Sequence, residues 1–303
     1  MKAFFKILTL QTVLILSSME VWSSPTKAGF YLPDSVKAVT LTYKVINNLI
    51  VLPVTINDTI QLNLILDTGC RNLVLFGKRY QKLFTLQPTS RVQFSGLGSG
   101  DPVYGRLSLN NTVSIGEAIG HNIPVVVVSD KNLFSSYNHV HGVIGYDIFT
   151  KFEVELNPVL KEITLRPADH AELSAVYTRV PIRVVDSRPI IDCQVVFTKD
   201  KKHLCDLMID TGSSLGLLLK TTTIENFRGE GTTEVLGRGF NGIIEGIRTV
   251  TKKLVLQEME IASLSTGIIQ SPWHNYASIG MEVLKEYTLV LNYCKGYAGF
   301  RKA

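Results

Sequence analysis

Gln61-Leu62-Asn63-Leu64-Ile65-Leu66-Asp67-Thr68-Gly69 decides the fold of this chain, because it is written twice. The second copy is Leu204-Cys205-Asp206-Leu207-Met208-Ile209-Asp210-Thr211-Gly212. Each is an apolar run ending in Asp-Thr-Gly. Each follows a β-branched run and a polar turn: residues 49–56 with Asn57-Asp58, and residues 189–197 with the turn around Lys199-Asp200. Strand, polar turn and second strand read as a hairpin, so both motifs sit at the end of a hairpin's second strand.

A second pair of matches lies downstream. Gly142-Val143-Ile144-Gly145 is followed by a short helical turn and an alternating strand ending in Asn157. Ala277-Ser278-Ile279-Gly280 is followed by the same pattern, ending in Asn292. The interval from Asp67 to Gly145 is close to that from Asp210 to Gly280, which is the mark of a duplication. Between these landmarks the chain shows short strands and Gly-bearing turns with little helical periodicity, so the expected class is all-β. The junction is expected around residues 169–176.

The residue types suit a specific chemistry. About one chain in twenty of this size carries a chance Asp-Thr-Gly, but two, each closing an apolar strand in one half of a repeat, are a different matter. Two carboxylates about 3 Å apart cannot both ionise, so together they hold one proton and supply both a base and an acid. Gly69 and Gly212 let each loop turn tightly and approach the other. The hydroxyls of Thr68 and Thr211 are suited to tying one loop to its partner, and the preceding strands bury the base of the site.

On these motifs the chain resembles the aspartic-peptidase superfamily, above all its retropepsin-like members, over about residues 40 to 300. It looks like two retropepsin-sized units fused in tandem, as in a bacterial-type secreted aspartyl protease. The resemblance implies two pseudo-twofold-related β-barrel lobes with the active site in the cleft between them. The expected division is a signal peptide at 1–24, an N-terminal lobe at 25–172 and a C-terminal lobe at 173–303. It implies that Asp67 and Asp210 are catalytic, that Thr68, Gly69, Cys70, Thr211, Gly212 and Ser213 support the loops, and that Ile144-Gly145 and Ile279-Gly280 pack beneath them. Gly-rich flaps are expected after each Asp, at Gly96-Leu97-Gly98-Ser99-Gly100 and at Gly237-Arg238-Gly239-Phe240-Asn241-Gly242. The implied activity is that of an aspartic endopeptidase acting on a peptide or protein, without cofactor or metal. The alternative is an inactive peptide-binding protein of the same fold. One chain supplies both aspartates, so a monomer suffices. Cys70 departs from the usual Ser, Thr or Ala, and a thiol is a weaker donor than a hydroxyl; a less acidic pH optimum than that of pepsin-like enzymes is therefore expected. Ala277-Ser278 replaces bulkier residues, so looser packing is expected there.

The rest of the chain narrows the classes. With 303 residues, 45% apolar, it can bury a sizeable core. A net charge of +5 spread over scattered Lys and Arg gives no basic stripe, which argues against nucleic acid. Lys2 and Lys6, the apolar run 7–16 and the small residues Ser17, Ser18, Ser23 and Ser24 read as an export signal, with an uncleaved anchor as the alternative. Nothing later is long and apolar enough to span a bilayer, so a periplasmic or secreted protein is expected. Residues 25–37 are either propeptide or an N-terminal strand. The four cysteines form no Cys-x-x-Cys pair; Cys193 and Cys205 could face each other across a hairpin, as a disulfide or as two thiols. Gly237-x-Gly239-x-x-Gly242 matches a dinucleotide fingerprint in form only, since a strand pattern follows it. His139 and His141 read as surface histidines. Asn57-Asp58-Thr59 and Asn110-Asn111-Thr112 are glycosylation sequons. A glycosidase would need sugar-stacking aromatics, and Trp273 alone remains after the signal.

Overall fold

The computed structural model describes residues 28–94, 96–129, 139–198, 201–221, 232–270 and 276–303. The expected signal, Lys199-Asp200 and Trp273 lie outside these residues. The fold is all-β. Among the described residues the α-helices are two single turns, Tyr146–Phe149 and Met281–Leu284.

The repeat read from sequence governs the strand pairing. In the first half, Leu49–Ile56 and Ile60–Leu66 form an antiparallel hairpin with Val54 opposite Leu62. Ile60–Leu66 then pairs in parallel with Gly142–Ile144, which pairs antiparallel with Leu73–Phe76, which runs parallel to Ala118–Val128. The second half repeats each step: Arg188–Val196 with Lys202–Ile209, then Ala277–Ile279, then Leu217–Lys220, then Met259–Ile269. The consequence for the site is that each Asp-Thr-Gly loop leaves a strand whose neighbours hold it on both sides. Asn57 and Asp58 both have positive φ, 49° and 62°, and so do Asp186 and Ser187, at 47° and 71°. Such two-residue turns match the right-handed twist of a hairpin and favour short polar residues.

Alternation of side chains across each strand sorts the apolar residues into two layers. Leu64, Leu66, Leu73 and Leu75 enter the large core shared by both halves. Ile65, Val74 and Phe76 point to the opposite side, into a smaller cluster.

A six-stranded sheet joins the halves. The hairpin Phe152–Asn157/Glu162–Pro167 meets the hairpin Tyr287–Asn292/Tyr297–Lys302, with Val154 opposite Leu291 and Leu156 opposite Leu289. Val39–Thr42 and Thr178–Pro181 close its two edges. Buried polar groups cross the seam: Glu153, 3% exposed, accepts from the Tyr297 hydroxyl, and the Asn292 amide donates to the Ala168 carbonyl at 2.9 Å. Gly29–Tyr31, within the segment left open between propeptide and strand, pairs with Ala118–Val128 as an edge strand.

Candidate active site

The two Asp-Thr-Gly loops meet and grip each other. The Thr68 amide donates to Thr211 Oγ1 at 3.0 Å, and the Thr211 amide donates to Thr68 Oγ1 at 3.0 Å. Each hydroxyl then donates to the backbone across the seam: Thr68 to the Ile209 carbonyl at 2.6 Å, Thr211 to the Leu66 carbonyl at 2.8 Å. Both threonines are fully buried. The four bonds satisfy every donor they bring into the core, as buried polar groups require.

The elements beneath the loops repeat with equal fidelity. The Asp67 amide donates to Ile144 O at 2.9 Å, and the Asp210 amide donates to Ile279 O at 2.9 Å. Tyr146 N reaches Cys70 O at 3.0 Å; Met281 N reaches Ser213 O at 2.8 Å. A Cβ at Gly145 would lie 1.9 Å from the Asp67 carbonyl oxygen, so glycine is required there by close backbone approach. Gly212 is under the same constraint from the other loop, because its Cβ would lie 2.2 Å from the Asp67 carboxyl carbon.

Each carboxylate accepts from the amide two residues on: Asp67 from Gly69 at 2.7 Å and Asp210 from Gly212 at 3.0 Å. Burial pushes Asp67 up to about 6, against the opposing effects of the Gly69 amide, Arg188 and the Cys70 amide. Burial raises Asp210 to about 8, helped by the charge of Asp67. Two buried carboxyl groups, both raised by burial and one raised further by the charge of the other, hold one proton between them near neutral pH.

The residue after each motif acts differently from the expectation. The Cys70 thiol donates to the Asn72 carbonyl at 3.0 Å, and Ser213 Oγ accepts from the Leu215 amide at 3.3 Å. These side chains shape their own loops instead of donating to the aspartates. What raises both aspartates is their burial, not the weakness of a thiol donor.

The Gly-rich segments are hairpin tips. Val92–Phe94 and Val103–Ile115 flank residues 96–100, and Thr233–Gly239 and Gly242–Leu256 flank Phe240-Asn241. Gly237 lies within its strand at a register shift, Gly239 ends it, and the 15-residue strand after Gly242 removes any dinucleotide reading. The tips engage each other. Asn241, 2% exposed, donates from Nδ2 to Gly98 O at 2.7 Å and Gly100 O at 3.0 Å, and its Oδ1 accepts from Gly98 N at 2.8 Å. Their apolar residues cross over. Phe240 stacks on Phe76 of the first half, with centroids 5.5 Å apart, while Leu97 packs with Leu218, Leu236, Ile244 and Ile269 of the second.

His141 is not an ordinary surface histidine. Its Nδ1 accepts from the Asn63 amide at 2.8 Å, and burial lowers its pKa. Cys193 and Cys205 stand directly opposite on their hairpin with sulfurs 3.3 Å apart, as two thiols. Arg188 and Tyr276, whose electrostatics reach the aspartates, and Lys220, beside the Tyr276 ring, escaped sequence reasoning. The one available signal was a lysine closing the apolar run Leu217-Leu218-Leu219.

The model of a family described as aspartyl protease matches residues 52–148, and the chain is similar to that family over this stretch, which contains Asp67. No curated protein matches the chain.

Proposed function

We propose that the protein is an aspartic endopeptidase in which a water molecule is activated between Asp67 and Asp210. The observation that carries this is the reciprocal grip of Thr68 and Thr211, which brings two Asp-Thr-Gly loops from distant parts of the chain to one place. The likeness of residues 52–148 to aspartyl proteases supports a protease-type chemistry. Asp210, raised further, holds the shared proton, and ionised Asp67 is the base. Asp67 takes a proton from water as its oxygen bonds to the scissile carbonyl carbon, and Asp210 gives its proton to the carbonyl oxygen. Collapse of that tetrahedral species breaks the C–N bond, with a proton passing to the leaving amine. Under this reading the halves, 25–172 and 173–303, are lobes that each supply one aspartate, and export by residues 1–24 delivers the chain to a periplasmic or external site.

The test is cleavage of a diverse peptide mixture across pH, with and without a pepstatin-like inhibitor. The expected result is inhibitor-sensitive cleavage with a bell-shaped profile nearer neutral than pH 4, lost by about 10²–10⁴-fold in Asp210→Asn. Cleavage that survives that substitution would sink the dyad. Binding without cleavage at any pH would favour the inactive peptide-binding reading, for which Cys70 is the sequence hint.

A further inference from the structure

One cross-strand pair differs in kind between the halves. Val51 faces Ile65 as Ile190 faces Met208, so the same register sets Val54 opposite Leu62 in the first hairpin and Cys193 opposite Cys205 in the second. Val54, Leu62 and Cys193 lie in the main core, and Cys205 packs against it from the rim. The first half fills this place with two hydrocarbon side chains. The second half puts two sulfurs there, 3.3 Å apart.

Geometry suits this pair to chemistry. Residues directly opposite in an antiparallel pair have Cα atoms about 4.5–5.5 Å apart, within the span of a disulfide, whose sulfurs sit about 2.0 Å apart. The two strands are clamped beside the pair, where Arg183 donates to Asp192 at 2.8 Å and to Asp206 at 2.7 Å. A surface groove of about 700 Å³ runs over both cysteines and their neighbours Gln194, Leu204, Val255 and Gln257. Cys193 is 4% exposed and Cys205 half-buried, so a reagent entering the groove meets Cys205 first. The hydrogen bond with Cys193 holds Cys205 below the ordinary thiol range, which favours its thiolate. Among the described residues no third His, Cys, Asp or Glu joins the two sulfurs as a metal-binding group.

We propose that Cys193 and Cys205 form an oxidisable dithiol site, which a small disulfide compound, RSSR, converts to a cross-strand disulfide. The Cys205 thiolate attacks one sulfur of the reagent, forming a mixed disulfide and releasing RS⁻. The Cys193 sulfur, its proton given up to solvent, then attacks the Cys205 sulfur and expels the second RS⁻. Two protons leave the protein and two RSH molecules form, so the two electrons lost by the dithiol reduce the reagent. The new bond ties Lys202–Ile209, the strand that delivers Asp210, to Arg188–Val196. The first half holds the same place by packing alone. The site stands whether or not the protein is a peptidase.

The experiment incubates the folded full chain with glutathione buffers of rising oxidised fraction. Cys294→Ser is the parent, because it removes the exposed thiol. Free thiols are then alkylated under denaturing conditions and the peptides mapped by mass. The expected product is one intrachain bond joining Cys193 to Cys205, with buried Cys70 still alkylated, and with full reversal by excess dithiothreitol. The first half supplies variants that suit the register, Cys193→Val and Cys205→Leu. Cys193→Val should stop at a glutathione adduct on Cys205. Cys205→Leu should form its adduct on Cys193 at least about tenfold more slowly. Full alkylation of both cysteines at every buffer ratio overturns the site, as does a parent that yields adducts or bonds between chains and no intrachain bond. Equal adduct rates in the two variants overturn the assignment of Cys205 as the attacking thiol. Should the variants not fold, the parent's peptide map and its reversal still decide the pairing.

Discussion

Beneath the two aspartates the main backbone contacts of one half repeat in the other, while several side chains around them differ in kind. Every loop-to-strand bond beneath Asp67 has a partner of nearly equal length beneath Asp210. Around that frame, Leu49, Phe76 and His141 stand opposite Arg188, Lys220 and Tyr276. The difference teaches where each kind of information sits. Symmetry is enforced by buried backbone groups that must be paired. Asymmetry develops in side chains that this backbone frame does not use.

The sharpest way to break the symmetric part is to remove one threonine at a time. Thr68→Val leaves the Thr211 amide and the Ile209 carbonyl unpaired; Thr211→Val does the same to the Thr68 amide and the Leu66 carbonyl. Each should destabilise by about 1–3 kcal/mol for every buried group left unsatisfied, with nearly equal shifts in denaturant midpoint. Clearly unequal shifts would mean that the grip is one-sided.

A smaller effect tests the dyad's burial. Asp210 holds its proton up to about 8 in the folded chain, far above the ordinary carboxylate range. Between the unfolded value and that point the folded state binds more protons than the unfolded one, so stability falls as pH rises through the window. Asp210→Asn, which never ionises, should therefore melt increasingly above the parent as pH goes from about 4 to about 8. A constant difference in melting temperature across that range would contradict the raised value.

The smallest effect is expected at the residue after each motif. Because the Cys70 thiol and the Ser213 hydroxyl are engaged with their own loops, Cys70→Ser and Ser213→Cys should leave the position of the pH–rate profile unchanged. A shift in either profile would restore a direct role for that side chain at its aspartate.

The duplicated hairpins and the two Gly-rich hairpin tips were legible in the sequence because each is a local pattern: alternation, a polar turn, a Gly-rich tip. The threonine grip was legible as an expectation since its residue type and spacing recur. What could not be read was anything set by register between distant strands. Lys220 and Tyr276 lie far apart in sequence and converge only through the pairing of Ala277–Ile279 with Lys202–Ile209 and Leu217–Lys220. The role of Cys70 was misread for a related reason: its rotamer depends on the turn at Asn72, and composition does not reveal it. His141 looked like a surface residue because nothing in its own segment shows that the Asn63 amide needs an acceptor.

Asn241 carries a consequence for timing. Its side chain holds the opposite hairpin tip through three hydrogen bonds, beside a backbone bond from the Ser99 amide to the Ile243 carbonyl at 3.0 Å, so neither tip can lift while the other stays latched. Entry to the cleft then becomes a single gate with one opening rate, even though two separate strands form it. Asn241→Ala should loosen that gate, seen as faster peptide association and as loss of protection from hydrogen exchange at the Gly98 amide, more than at the Ser99 amide, which donates to the Ile243 carbonyl. Unchanged exchange at those amides would mean that the crossed packing of Phe240 and Leu97, not the latch, keeps the entrance shut.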